Sequence, residues 1–137
     1  MTSKSTPNPR HLLVPMDDSE PARAALEHAL TIFPDDEITV VHAVDELEAQ
    51  YGGQSGPDGE PDLFADVDAI AAEHETSVET VVIDGTAADA ILEYVDREGV
   101  DQLIMGSEGR SGVSRMLLGS VAEQVTRRSP VPVTIVR

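Results

Sequence analysis

The chain has 137 residues, no cysteine and a formal charge of −17 at pH 7, with 26 acidic residues against nine basic ones. This length suits one domain. The lack of cysteine excludes a disulfide framework, a thiolate metal site and a cysteine nucleophile. A surface this acidic is a poor partner for nucleic acid or for an anionic membrane.

Lys4 is the only lysine, and the other basic residues are arginines. An acidic, lysine-poor surface predicts a halophilic, salt-adapted source and a fold that loosens at low ionic strength. The alternative is an acidic protein without salt adaptation. No apolar run reaches the roughly 18 residues of a membrane span, and residues 1–10 lack the apolar stretch of a signal peptide. We therefore expect a cytoplasmic protein with a disordered tail over 1–10 and one domain over 11–137.

The first half of the chain begins with a short apolar run at 11–16, which predicts a buried strand. Helical spacing of apolar residues follows over 22–33, and β-branched residues predict a second strand over 37–44. Residues 45–61 contain four glycines between Tyr51 and Gly59, which predicts a long mobile loop. A helix is expected over 62–76.

The second half continues the alternation, with strands over 77–83, 100–105 and 131–136 and helices over 87–98 and 119–128. Strands that alternate with helices and are apolar throughout predict an α/β fold, a parallel sheet with helices on both faces. In such sheets ligands bind at the carboxyl ends of the strands, where the strand order reverses. With the order 3-2-1-4-5, that point lies between Pro15-Met16-Asp17 and Met105-Gly106.

A glycine motif follows the fourth strand, with the spacing Gly-x2-Gly-x9-Gly-Ser at Gly106, Gly109, Gly119 and Ser120. A strand that ends in a glycine loop and opens a helix directs main-chain N–H groups and the positive end of a helix dipole at one point. This arrangement predicts a phosphate site; the alternative is a plain turn rich in glycine.

Three side chains could add to such a site. Asp17 could accept hydrogen bonds from a ribose, or it could cap the first helix, a role that Asp18 or Ser19 could also fill. Ser120 could donate a hydroxyl to a phosphate or simply begin its helix. His42 lies within an apolar run and is expected to be a packed core residue.

Charge also favours an anion site near the glycine motif. Residues 106–128 carry four arginines and two glutamates, a net charge of +2 in a chain of −17. Arg110 is the best candidate for a phosphate contact, whereas Arg127 and Arg128 also suit the carboxyl end of their helix. The chain has no Gly-x4-Gly-Lys-Ser/Thr loop, so it is not a P-loop ATPase.

Three segments together resemble the universal stress protein family, of the UspA type. They are 13–20 (LVPMDDSE), 40–45 (VVHAVD) and the glycine motif through Val121. The similarity extends from His11 to Arg137, and the glycine spacing is that of the family's ATP-binding branch. The resemblance implies a Rossmann-like sheet and a homodimer in which the strand at 131–136 of each subunit pairs at the sheet edge.

The resemblance also implies a nucleotide site. Asp17 would contact the ribose or adenine side, with Pro15 and Met16 beside it, and the main chain of Ala43 would read adenine. The phosphates would be wrapped on one side by Met105, Gly106, Ser107, Gly109 and Arg110 and on the other by Gly119, Ser120 and Val121. One departure from the family is Glu108, where many members have a neutral or basic residue; its charge would weaken triphosphate binding.

These observations predict a stress-response or signalling protein that binds ATP, or ADP or AMP, with Mg²⁺ as a companion ion and with little or no fast chemistry. Two alternatives remain open. One is a slow ATP hydrolase or phosphotransfer enzyme in which a metal ion activates water near Asp17. The other is a dimerisation module without a nucleotide.

Overall fold

Five parallel strands form one sheet in the order β3-β2-β1-β4-β5. A computed structural model describes residues 10–44, 62–108 and 118–137. The strands are β1 (His11–Pro15), β2 (Glu37–Val44), β3 (Glu79–Asp84), β4 (Gln102–Gly106) and β5 (Val133–Val136). The helices are α1 (Glu20–Ile32), α2 (Leu63–Glu73), α3 (Ala87–Glu98) and α4 (Ser120–Arg128). The predicted α/β class and strand order are confirmed.

Helices cover both faces of the sheet because successive side chains of each inner strand point to opposite sides. Leu12 and Val14 of β1 pack with α1 and α2 on one face, whereas Leu13 packs with α3 and α4 on the other. The side chains of Leu12, Leu13 and Val14 are fully buried. The near-continuous apolar run of β1 therefore reflects a strand covered on both faces.

The outer strand β3 does not follow the expectation that every strand is apolar throughout. Of its six residues only Ile83 is buried, and Val82 is 44% exposed. The reason is its position at the edge of the described sheet, where β2 is its only neighbour among the described strands and less of each face is covered. The strand predicted over 77–83 is present as Glu79–Asp84, and its exposure follows from this edge position.

Helix α1 begins two residues before the predicted start at 22. The Ser19 hydroxyl accepts a hydrogen bond from the Ala22 N–H at 3.3 Å and caps the helix, and Pro21 lies in the first turn. A proline is compatible with that turn because its missing N–H would have no helical partner there. The predicted cap residue Ser19 thus sets where α1 starts.

Three predictions concern residues outside the described ranges. They are the disordered tail, apart from Arg10, the mobile loop at 45–61, and the middle of the glycine motif, which includes Gly109 and Arg110. The domain limits 11–137 stay a prediction as well.

Candidate functional site at the carboxyl edge of the sheet

A cavity of about 290 Å³ opens at the carboxyl edge of the sheet, where the chain leaves β1 and β4. Strands β2 and β4 flank β1 on opposite sides, so this is the point at which the strand order reverses. Ligands of open α/β sheets bind at such a crevice.

Nine of the twelve predicted site residues line this cavity. They are Pro15, Met16, Asp17, Ala43, Met105, Gly106, Gly119, Ser120 and Val121. Gly109 and Arg110 lie outside the described residues. The remaining one, Ser107, does not line the cavity: its N–H donates to the carbonyl of Val136 at 2.8 Å, and its own carbonyl accepts from the N–H of Gly119 at 2.8 Å.

The main chain of Ser107 therefore joins the two ends of the glycine motif and ties them to β5. Because the Gly119 N–H already donates to Ser107, an anion in the cavity would be bound by later N–H groups, those of the first turn of α4. Gly119 caps α4 and has no side chain to satisfy these donors. The donors of a first helical turn lack partners within the helix, so the start of α4 is suited to an anion.

The first glycine of the motif has a second physical role beside the one expected. A Cβ atom at Gly106 would lie 2.6 Å from the carbonyl carbon of Pro21 and 2.8 Å from the nitrogen of Ala22. These are main-chain atoms of the first turn of α1. Gly106 is required for the close approach of β4 to α1, in addition to lining the cavity.

Asp17 is the second residue after β1 and is half-buried in the cavity wall. Its Oδ1 accepts a hydrogen bond from the Ser19 hydroxyl at 2.5 Å. Since Ser19 is the cap of α1, Asp17 does not cap the helix itself. The carboxylate is instead held in place by the capping residue.

His42 was expected in the core, but its half-buried side chain lines the cavity beside Ala43. Its Nδ1 lies 2.9 Å from the carbonyl oxygen of Met16. A carbonyl can only accept, so Nδ1 is the donor of this hydrogen bond. The expectation failed because β2 ends at the cavity, so its last residues face the crevice and not only the core.

Other lining residues were not predicted: Ala22, Val41, Ala87, Ile91, Glu108 and Ala122. Ala22, Ala87 and Ala122 lie in the first turns of helices. Three helices, α1, α3 and α4, thus begin at this cavity and present the positive ends of their dipoles to it. The helix starts could have been predicted as part of the site, because each helix in this alternation begins close to where the preceding strand ends.

The charged side chains that line the described part of the cavity are both acidic, Asp17 and Glu108. The described arginines of the positive stretch bind acids instead. Arg127 pairs with Glu123 and Arg128 with Asp89, each at 3.0 Å. The hydrogen bond from Arg128 lowers the pKa of Asp89 below its ordinary value. Arg127 and Arg128 therefore form ion pairs on α3 and α4 and do not line the cavity. Within the described ranges, the positive field in the cavity comes from helix dipoles.

The sequence model of the universal stress protein family matches residues 8–137. The chain belongs to the universal stress protein family. A relative from Methanocaldococcus jannaschii, the universal stress protein MJ0531, is 27% identical over 93% of this chain and 82% of its own length. The solved structure of the protein MJ0577, from the same organism, superimposes with a TM-score of 0.70 at 30% identity and covers 93% of this chain and 94% of its own.

Two family structures with lower identity were solved with nucleotides. One is a universal stress protein in complex with cAMP, with a TM-score of 0.64 and 24% identity over 93% of this chain and 97% of that one. The other, from Archaeoglobus fulgidus, is in complex with dAMP, with a TM-score of 0.63 and 18% identity over 94% of this chain and 98% of that one. At these identities the likeness establishes the fold.

The described ranges lack two kinds of feature. None of the helices there is both long and apolar enough to cross a membrane. The same ranges contain no group of three or more His, Asp or Glu side chains arranged to hold a metal ion.

Proposed function

We propose that this member of the family binds an adenine nucleotide, ATP or its relatives ADP and AMP, in the cavity at the carboxyl edge of the sheet. The observation that carries the proposal is the convergence of three helix starts on one cavity at the reversal of strand order. The positive ends of helices stabilise phosphate, and family members of the same fold were solved with cAMP and dAMP.

The two sides of the cavity suit different parts of a nucleotide. Pro15, Met16, Val41 and Ala43 form an apolar side on β1 and β2, which suits a purine ring. Asp17 lies between the two sides and could accept hydrogen bonds from ribose hydroxyls.

The phosphate side is formed by Met105 and Gly106 and by the start of α4, from Gly119 to Val121. Our proposal assigns the phosphate contacts to this side and includes Gly109 and Arg110 from the sequence prediction. Ser107 contributes through its main chain, which keeps Gly119 next to the end of β4.

The biological role that we propose is nucleotide-dependent stress response or signalling in the cytoplasm. A homodimer through β5 is part of the proposal. Among the described strands, β5 is the last on its side of the sheet and pairs only with β4, so its other edge is placed to pair with a second copy. Pro132, just before β5, lacks an N–H donor, and proline is tolerated at an edge strand.

Calorimetric titration with ATP and Mg²⁺ in molar KCl tests the nucleotide site. We expect Asp17→Asn to weaken binding by about tenfold or more, since a hydrogen bond to a charged group contributes about 1.5–3 kcal/mol. Gly119→Val should abolish binding because the valine side chain would occupy the start of α4. Circular dichroism of this variant should still show a folded domain.

Asp84→Asn is the matched control. Asp84 ends β3 at the same edge of the sheet, is exposed and does not line the cavity. The substitution Asp84→Asn removes the same charge as Asp17→Asn. It should leave the affinity for ATP unchanged within about twofold, a difference of less than about 0.5 kcal/mol. Retained affinity in folded Gly119→Val would refute the site, and no binding of ATP, ADP or AMP by the parent protein would favour a dimerisation module without a nucleotide.

A further inference from the structure

The hydrogen-bond ladder between β1 and β2 stops before β2 itself ends. Its rungs recur every two residues, as in any parallel pair of strands. At one end of the ladder, the Glu37 N–H donates to the carbonyl of Arg10 at 3.0 Å. At the other end, the Met16 N–H donates to the carbonyl of Val41 at 2.8 Å. The next rung would join the Ala43 N–H to the carbonyl of Met16, and this hydrogen bond is absent among the described residues.

The side chain of His42 takes the place of that rung. Its Nδ1 donates to the carbonyl of Met16 at 2.9 Å. The acceptor that the main chain of Ala43 would otherwise use is therefore already satisfied by the preceding residue. As a result, the pairing of β1 with β2 ends at Met16, whereas β2 continues to Val44.

The main chain of Ala43 faces the space beyond the end of β1. In a strand that is paired on both sides, successive residues direct their N–H and C=O groups to alternate neighbours. Val41 bonds toward β1, whereas the carbonyl of Val44 accepts from the N–H of Gly85, which directly follows β3. Ala43 therefore directs its N–H and C=O to the side of β1, where the cavity that it lines begins.

We propose that His42 is a positioning residue for base recognition, because its bond to the Met16 carbonyl keeps the main chain of Ala43 available to the base of the nucleotide. This inference rests on the proposed adenine-nucleotide function and describes how the same site selects its base. A main-chain donor and acceptor match the Watson–Crick edge of adenine, on which a ring nitrogen accepts and an amino group donates. Hypoxanthine, the base of inosine, presents a ring N–H and a carbonyl on that edge, which is the reverse pattern.

Calorimetric titration with adenosine and with inosine in molar KCl tests this selection. The two nucleosides have the same ribose and no charge, so neither the ribose contact nor the phosphate side of the cavity distinguishes them. The full-length parent is compared with His42→Leu and His42→Asn. Leucine has no donor for the Met16 carbonyl, whereas asparagine offers an amide N–H.

His11→Leu is the matched control. His11 begins β1, at the opposite end of the strand from the cavity, and its Nε2 lies 2.9 Å from Thr39 Oγ1. The control therefore also removes a hydrogen-bonded histidine from the sheet, but far from Ala43.

We expect the parent to bind adenosine about tenfold or more tighter than inosine, because the ring N–H of inosine leaves the Ala43 N–H without an acceptor. In His42→Leu the ratio should fall to about threefold or less, mainly through weaker adenosine binding, since the Ala43 N–H then completes the ladder. His42→Asn should keep most of the parent ratio, and His11→Leu should keep all of it.

Amide hydrogen exchange, followed by NMR without a nucleotide, detects the end of the ladder directly. In the parent the Ala43 amide should exchange at least about tenfold faster than that of Val41, which lies in the paired part of β2. This difference should largely disappear in His42→Leu and persist in His42→Asn.

The outcomes separate this inference from the proposed function. Equal adenosine-to-inosine ratios in the parent and in folded His42→Leu, with ADP binding intact, would overturn the role of His42 alone. So would an Ala43 amide that is as protected as that of Val41 in the nucleotide-free parent. Failure of the parent to bind adenosine, ADP and ATP under every condition would overturn the nucleotide site, and base selection with it.

Discussion

Gly106 holds two parts of the fold at a separation that no other residue allows. A side chain there would overlap the main chain of Pro21 and Ala22, with contacts of 2.6–2.8 Å. Main-chain atoms in a capped first turn cannot move aside as the end of a flexible side chain can. The glycine thus sets the distance between β4 and α1, and thereby the width of the cavity on that side.

We predict that Gly106→Ala destabilises the domain by about 1–3 kcal/mol, the usual cost of overpacking. Gly99→Ala is the comparison, because Gly99 ends α3 at φ 67° with nothing within 4 Å of an added Cβ. That change costs only left-handed strain, about 1 kcal/mol. Urea unfolding of both variants measures the difference, and a milder effect of Gly106→Ala than of Gly99→Ala would contradict the packing role.

At this scale the sequence predicted the cavity residues that lie at strand ends. Pro15, Met16 and Asp17 could be predicted because a parallel sheet places the carboxyl ends of its strands at one edge. That Ile91 reaches the cavity depends on how α3 lies across the sheet. The contact of Gly106 with Pro21 joins residues 85 positions apart, and no local pattern contains it.

At the scale of elements, α1 and the candidate site share a residue. Ser19 accepts from the Ala22 N–H and donates to Asp17 Oδ1. One hydroxyl therefore fixes the start of the helix and the orientation of the carboxylate. The stability of α1 and the affinity of the site should depend on it together.

We predict that Ser19→Ala lowers the free energy of unfolding by about 1 kcal/mol, the usual value of a lost N-cap. It should also weaken ADP binding by about threefold to tenfold, because Asp17 loses the hydrogen bond that orients it. Ser19→Thr keeps the hydroxyl and should retain most of both properties. Chemical unfolding and calorimetry on the same samples measure them.

A stability loss without any change in ADP affinity would show that Ser19 caps α1 and does not position Asp17. In that case the short contact between Ser19 and Asp17 would be incidental to binding.

The order of the elements was predictable because alternation and right-handed crossovers leave few topologies. Their ends were less predictable. Strand β4 begins at Gln102, although Val100 is as apolar as the strand and is buried against α3. Apolar character marks burial, whereas strand bounds are set by hydrogen bonds to neighbours, which a single sequence does not show.

At the scale of the whole molecule, negative charge dominates. The chain carries 26 acidic residues against nine basic ones. Five of its eight arginines form ion pairs with acids in the described ranges: Arg10, Arg23, Arg97, Arg127 and Arg128. Exposed pairs of this kind contribute little, about 0–1 kcal/mol each. The excess acids repel one another, and that repulsion favours expansion of the chain.

We predict that the melting temperature rises by about 5 °C or more between 0.1 and 3 M KCl, a change of roughly 1 kcal/mol or more in the free energy of unfolding. The screening length falls from about 10 Å at 0.1 M to about 3 Å at 1 M, so repulsion between exposed carboxylates is lost first. A variant with Asp68→Asn, Glu93→Gln and Asp96→Asn, three exposed acids on α2 and α3, should melt higher than the parent at 0.1 M KCl and converge with it at 3 M. A melting temperature of the parent that stays flat across this range would reject salt adaptation. If the triple variant still melted higher than the parent at 3 M KCl, the three substitutions would act through helix propensity and not through charge.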